Sequence, residues 1–258
     1  MTEAVSTFYD ELADYYHLIF EDWDRSIARQ ATILGGLLSR QLGAGPLNVL
    51  DCACGIGTQA IGLAQLGHHV VASDLSAAAV RRAEKEAWQR GLSIQFFVSD
   101  MTQLKEIEQS GFDAVVTLDN ALPHLDPSQL KQAAAAIARK LRPNGLFIGG
   151  IRDYDALIVE RPASLPPAFC GEPGSRRIVH QIWDWADTTS PDPGYRVHLY
   201  ITIESAQGWR ALHFVSEYRC LLRSELSAAL EAAGFTEIRW FTPDETRSYQ
   251  PFVLARLP

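Results

Sequence analysis

Two acids bracket a glycine-rich stretch early in the chain, and together they are well suited to hold a nucleoside. Gly55-Ile56-Gly57-Thr58-Gln59-Ala60 follows a short apolar run and fits the loose G-x-G-x-x-G/A pattern. Its glycines permit a tight turn and let a ligand approach the backbone where a helix begins. Asp74 stands 19 residues past Gly55, at the end of the next apolar run, where a carboxylate can accept hydrogen bonds from ribose hydroxyls. A dinucleotide satisfies both features equally, so Asp51, at the mouth of the turn, discriminates. A pyrophosphate beside it would be repelled, whereas the amino group and sulfonium of S-adenosylmethionine (SAM) favour a nearby carboxylate. SAM is therefore the expected cofactor and NAD the alternative; turn capping is the plainer role open to Asp51. Ser99-Asp100-Met101 follows the third apolar run, and Asp100 could meet the adenine amino group or simply cap its own turn.

The elements needed to position these residues are legible between Leu47 and Leu146, where short apolar runs alternate with helical patterns, as in βαβ units of a parallel sheet. The expected strands are Leu47–Leu50, His69–Ser73, Ile94–Val98, Ala114–Thr117 and Leu146–Ile148. Val80, Ala83, Ala87 and Trp88 predict the buried face of one helix. Asp126, Pro127 and Gln129 open another with an N-cap, a first-turn proline and a capping-box partner. Its stripe is Leu130, Ala134, Ile137 and Leu141, and Pro143-Asn144-Gly145 is expected to stop it. After Arg152 a Pro-rich connection, Arg161 to Pro173, leads to three candidate antiparallel strands, Arg177–Trp185, Tyr195–Glu204 and Trp209–Cys220, with a hairpin turn at Gln207-Gly208. A helix at Arg223–Ala233 and strands near Phe235–Phe241 and Phe252–Ala255 close the chain. The fold class is thus α/β, a Rossmann-like doubly wound, mostly parallel sheet with an antiparallel last strand, plus an antiparallel β insert, or lid, before the last helix. The expected division is an N-terminal helical arm (1–42), a cofactor domain (43–152 and 221–258) and a β-rich substrate insert (153–220).

With these segments in place the chain resembles the class I SAM-dependent methyltransferases. Leu50-Asp51-Cys52-Ala53-Cys54-Gly55-Ile56-Gly57 and Ser73-Asp74-Leu75-Ser76 stand where that family has its two main cofactor segments, and the resemblance covers roughly residues 45 to 152. It implies that Gly55, Gly57, Asp74, Leu75, Asp100, Met101 and Asp119 line the cofactor, together with Asp51. A narrower likeness to the glycine/sarcosine N-methyltransferases rests on Asn120-Ala121-Leu122-Pro123-His124-Leu125 and Arg152-Asp153-Tyr154-Asp155, and more faintly on Tyr15-Tyr16-His17. It implies that Arg152 clamps an acceptor carboxylate, for which a planar guanidinium is suited. Asn120 would orient the amine, and Tyr16 and His124 would border the acceptor. The plainer alternatives are an ion pair of Arg152 with Asp153 or Asp155, and a capping or packing role for His124. The stretch from Arg161 to Pro167 and Trp183-Asp184-Trp185 depart from the glycine enzymes and leave the acceptor open.

Composition bounds what remains. With 258 residues, 47% apolar and a formal charge of −8, the chain lacks the basic footprint that neutralises nucleic-acid phosphates, so a small-molecule substrate and no nucleic-acid partner are expected. Met1-Thr2-Glu3-Ala4-Val5 lacks a signal-peptide pattern and no run approaches the roughly 18 apolar residues of a membrane span, which reads as cytoplasmic with no membrane contact. Four cysteines, Cys52, Cys54, Cys170 and Cys220, form no CxxC pair, so neither a disulfide framework nor a structural metal is expected. A homo-oligomer is compatible with the family likeness. Methyl transfer from a sulfonium depends chiefly on alignment, an acceptor proton can leave to solvent, and no general base is assigned. An O-methyltransferase, a cofactor-binding regulator and an NAD-dependent oxidoreductase are the competing functions.

Overall fold

The computed structural model describes residues 3–187 and 193–258; residues 1–2 of the expected arm and 188–192 of the expected insert lie outside the described residues. The chain begins with α1 (Glu3–Leu12), a 3₁₀ turn at Tyr16–Ile19 and α2 (Trp23–Leu42). Strands and helices then alternate: β1 (Asn48–Asp51), α3 (Thr58–Gln65), β2 (His69–Asp74), α4 (Ala77–Gln89), β3 (Gln95–Val98), β4 (Phe112–Thr117), α5 (Pro127–Lys140) and β5 (Leu141–Gly150). After α6 (Tyr154–Glu160) come β6 (Ser164–Cys170), β7 (Arg177–Trp185), β8 (Gly194–Ser205) and β9 (Gly208–Arg219). The chain closes with α7 (Arg223–Ala232), β10 (Thr236–Phe241), α8 (Pro243–Thr246) and β11 (Phe252–Arg256).

Seven strands form one sheet in the order β10-β11-β5-β4-β1-β2-β3, with β11 antiparallel to both neighbours and β1 to β5 mutually parallel. The expected fold class holds. The order reverses between β1 and β4, so the loops leaving those strands diverge and open a crevice at their carboxyl ends. Those loops carry Asp51 to Gly57 and Asp119 to His124. The second sheet, β6-β7-β8-β9, is wholly antiparallel. The alternation of Val197, Leu199, Ile201 and Ile203 with His198, Tyr200 and Thr202 predicts one buried face of β8; the first three are buried and Ile203 is half-buried. Leu199 and Ile201 pack with Val179 and Phe214 against Phe8 and Leu12 of α1, while Trp183, Tyr195 and Val197 join the core of the large sheet. The insert therefore clamps the N-terminal helix over the crevice.

Four local expectations are corrected. Trp88 is 79% exposed: Val80, Ala83 and Ala87 form the buried stripe, and the next residue turns about 100° away from it. Helix α5 has the expected capping box between Asp126 and Gln129 but ends at Lys140, where Leu141 is already extended and pairs with Phe112. Pro143-Asn144-Gly145 thus lies within the start of β5 rather than stopping the helix. The Pro-rich connection holds strand β6, whose register shifts between Leu165 and Ala168. Pro166 and Pro167 lack N–H donors, which an edge strand with an irregularity tolerates. The β8–β9 turn is Ala206-Gln207, with Gly208 at φ +110° already paired to Ser205. No helix among the described residues is long and apolar enough to cross a membrane.

Candidate active site

The loop after β1 is shaped by two left-handed glycines, Gly55 at φ +52° and Gly57 at φ +94°, conformations in which a Cβ is disfavoured. Asp74, at the end of the adjacent strand β2, fastens this loop: its Oδ2 accepts the Gly55 N–H at 2.8 Å and its Oδ1 that of Ser76 at 2.9 Å. Asp51 is fully buried beneath the turn. Its Oδ1 accepts the Ala53 N–H at 3.4 Å and its Oδ2 has no partner. Burial, with Asp74 and Asp119 close by, pushes its carboxyl up to about 8. An orphaned carboxylate oxygen beside two further acids fits a cationic ligand group and rejects a pyrophosphate. Asp119 and Asn120 follow β4 with consecutive left-handed backbones, φ +52° and +69°, a conformation short polar side chains tolerate. Asp119 is held from two sides, by Gln59 Nε2 at 2.7 Å and by the Tyr249 hydroxyl at 2.7 Å.

These residues border a cleft lined by Tyr9, Tyr16, Gly55, Asp74, Leu75, Met101, Asp119 and His124 among others. Gly57 sits just off it as the N-cap of α3. Asp100 is not among its lining side chains; its Oδ1 accepts the Thr102 N–H at 2.8 Å. Cys52 and Cys54 line the floor, where burial pushes both thiols up, Cys52 to about 12, so neither is a thiolate nucleophile.

A second cavity adjoins the first, sharing Tyr9, Tyr16 and Asp119, and is walled by Phe8, Leu12, Val179, Val197, Leu199 and Tyr218. Asn120 and Arg152 reach it from the large sheet. Asn120 is committed to its neighbours: Oδ1 accepts the Arg152 N–H at 3.1 Å and Nδ2 donates to the Tyr154 hydroxyl at 2.9 Å. Arg152 donates to the Tyr195 hydroxyl at 2.8 Å and to Gln181 Oε1 at 3.4 Å, and its guanidinium lies 4.8 Å from the Trp183 ring centre. It does not pair with Asp153 or Asp155, which bind Arg223 at 2.5 and 3.2 Å instead. Among the described residues no carboxylate lies within ion-pair distance of Arg152. His124 donates from Nδ1 to the Glu217 carbonyl at 3.1 Å, which leaves Nε2 to accept from the Tyr9 hydroxyl at 3.0 Å; desolvation lowers the ring to about 4, so it is neutral.

Of the insert aromatics that sequence alone offers for the acceptor wall, Tyr200, Tyr218 and Trp183 or Trp185, Tyr218 lines the second cavity. Tyr9, Gln181 and Tyr249 escape sequence reasoning, and Tyr249 carries no local signal at all.

The central part of the chain, residues 49–145, matches a family described as a methyltransferase domain. Rabbit (Oryctolagus cuniculus) glycine N-methyltransferase is 34% identical over 162 residues, 57% of this chain and 54% of that protein, so the chain spans about half the length of that relative. A 2-heptyl-1-hydroxyquinolin-4(1H)-one methyltransferase of Mycobacteroides abscessus is 30% identical over 181 residues, 67% of this chain and 71% of its own length. The chain belongs to the class I SAM-dependent methyltransferases. The methyltransferase also shares its fold with CalS10, a SAM-bound amino pentose methyltransferase from Micromonospora echinaspora, at TM-score 0.75 and 20% identity, covering 90% of this chain and 92% of that one. SAM is its cofactor, and the unpartnered Asp51 oxygen is consistent with it.

Proposed function

We propose that this methyltransferase methylates a small acceptor bearing a carboxylate, in the simplest case the amine of glycine, sarcosine or a related amino acid. The observation that carries this reading is Arg152, an enclosed guanidinium held by neutral partners at the wall of the second cavity. A buried charge without a counter-charge is costly, and an acceptor carboxylate would complete it in a fork-to-fork geometry.

On this reading Asp51, Gly55, Gly57, Asp74, Leu75, Met101 and Asp119 hold SAM, and Asp100 supports that wall through its turn. Bound SAM supplies a methyl group already activated by its sulfonium. Arg152 fixes the acceptor, while Asn120 holds the Arg152 backbone and offers its second Nδ2 hydrogen to the acceptor. Tyr16 covers the junction of the two cavities and excludes water. The arm (1–42) and the insert (153–220) act as cover and acceptor wall for the cofactor domain (43–152 and 221–258). The substrate is a small molecule and not a nucleic acid, the setting is cytoplasmic, and the state is compatible with a homo-oligomer.

A larger O-acceptor is the second reading, favoured by the apolar and aromatic wall that Phe8, Leu12, Val179, Leu199 and Tyr218 give the second cavity. Mass-spectrometric detection of methylated products after incubation with SAM and a panel of amino acids, amines, phenols and hydroxyquinolines separates the two. N-methylated amino acids support the first reading. Turnover confined to phenols or hydroxyquinolines replaces it with the second.

A further inference from the structure

We propose that Tyr9 and His124 form a proton-exit relay, carrying the proton displaced from the acceptor out of the acceptor cavity to a separate cavity on the surface. This rests on the methyl-transfer function proposed above and adds the residues that dispose of its proton.

The geometry is continuous. Tyr9 lines both the cofactor cleft and the acceptor cavity. Its hydroxyl lies 3.0 Å from His124 Nε2 and 3.5 Å from the Tyr218 hydroxyl. His124 lines the cofactor cleft on one side and, on the other, an outer cavity bordered by the exposed side chains of Asp126, Arg196 and Glu217. The tautomer is set by the backbone. A carbonyl can only accept, so the Glu217 carbonyl requires a proton on Nδ1, and the neutral ring then presents a lone pair at Nε2 toward Tyr9. Tyr9 is a buried phenol whose ionisation is disfavoured by burial and by Tyr218 and Tyr16; it must take one proton as it gives another.

The step balances as follows. The acceptor's N–H or O–H bond breaks and its electron pair stays on the acceptor atom. That proton bonds to Tyr9 Oη while the original Tyr9 hydroxyl proton passes to His124 Nε2. The imidazolium then loses its Nδ1 proton to water in the outer cavity, and the proton left on Nε2 returns to Nδ1 by exchange through water before the next turnover, restoring the tautomer that the Glu217 carbonyl favours. The groups facing this ring are Tyr9 from α1, Tyr218 and the Glu217 carbonyl from β9, and Arg152 after β5. Desolvation and the Arg152 charge both disfavour the imidazolium, so the ring passes protons on rather than storing them. An acceptor carboxylate on Arg152 would relieve part of that field and ease the transfer.

Two measurements test the relay. In the ¹⁵N spectrum of the histidine-labelled protein alone, His124 should show a protonated Nδ1 and a bare Nε2, unchanged from pH 5.5 to 8. The opposite tautomer, or a ring titrating near pH 6.5, overturns the relay whatever the enzyme's activity. In kinetics with SAM and glycine, or the best acceptor of the panel, Tyr9→Phe and His124→Gln should each lower kcat about 100-fold near pH 7. SAM affinity by calorimetry should stay within about threefold, and the deficit should shrink as pH rises and the acceptor arrives already deprotonated. Added imidazole should restore part of the loss in His124→Ala. Full activity in either variant, or a deficit constant with pH and unrescued, overturns the relay. Absence of turnover with every acceptor overturns the functional reading instead, leaving the spectrum to decide the relay.

Discussion

On the proposed reading, acceptor recognition turns on Arg152. Its partners in the protein are the hydroxyl of Tyr195 and the amide oxygen of Gln181, neither of which neutralises charge. Arg152→Ala is expected to reduce kcat/KM on a carboxylate acceptor by at least about 30-fold, the equivalent of about 2 kcal/mol or more for a buried charge pair. Lysine should recover only part of this, because the fork is lost. Steady-state kinetics that find Arg152→Ala fully active on glycine remove the carboxylate clamp. Asp51 makes a different prediction, one about pH. Its folded value near 8 lies above the ordinary carboxylate range, so the folded protein retains a proton that the unfolded chain has released. That group therefore stabilises the ligand-free fold least at high pH, its contribution falling as pH rises from about 4 through 8. A cation at Oδ2 ionises the carboxyl, so SAM affinity should rise with pH up to about 8 and fall beyond it as the ligand's own α-amino group, near 8, loses its proton. Titration calorimetry across pH 6 to 9 checks this. Asp51→Asn should abolish the rise, weaken SAM binding, and raise the ligand-free Tm at pH 8.

Among the elements, α3 and the N-terminal segment carry the sharpest consequences. Gly57 caps α3 at φ +94°, and a Cβ there would meet Ile61 Cδ1 at 3.1 Å and the Ala83 Cβ at 3.2 Å. Gly57→Ala should cost about 1–2 kcal/mol from the left-handed backbone alone, seen calorimetrically as roughly 2–8 °C of Tm in a domain of this size. The N-terminal segment is pinned from the insert by Arg177, whose Nε donates to the Leu18 carbonyl at 2.9 Å and whose Nη2 donates to that of Glu21 at 2.8 Å. Arg177→Ala should speed hydrogen exchange in residues 16–22 while leaving β1 to β5 protected, since those strands pair without it.

Across the whole molecule, α1 is the piece that both halves of the site share. Phe8 and Leu12 pack into the insert, Asp10 accepts from the Ser76 hydroxyl at 2.6 Å and the Ala78 N–H at 3.0 Å, and Tyr9 enters both cavities. SAM and an acceptor would therefore lie beneath α1. Addition of SAM should slow amide exchange most strongly in α1 and in Tyr16–Ile19, as read by mass spectrometry. Equal exchange with and without SAM in these residues would contradict α1 as the cover of the cleft.

How much was legible follows from how local each signal is. The glycine turn, Asp74 and the strand ends could be read because a left-handed turn leaves glycines in sequence and a parallel βαβ unit spaces its strands regularly. The capping box of α5 and the alternation of β8 are likewise written within a few residues. Trp88 was misplaced because a helix face one residue wide cannot be assigned until its neighbours are known, and β6 was hidden because prolines do not look like a strand until an edge accepts them. Arg152 could be marked as a candidate by its position, but its lack of a carboxylate partner was decided only when Arg223 claimed Asp153 and Asp155. Tyr249 reaches Asp119 across 130 residues and Tyr9 reaches His124 across 115. No short-range pattern encodes such meetings. The sequence by itself determined the parallel sheet, its crevice and the acids Asp51 and Asp74 at the ends of its strands, because those depend on local geometry repeated along the chain. The tertiary structure alone decided the second cavity, because its walls come from α1, the antiparallel sheet and the ends of β4 and β5, brought together only by folding.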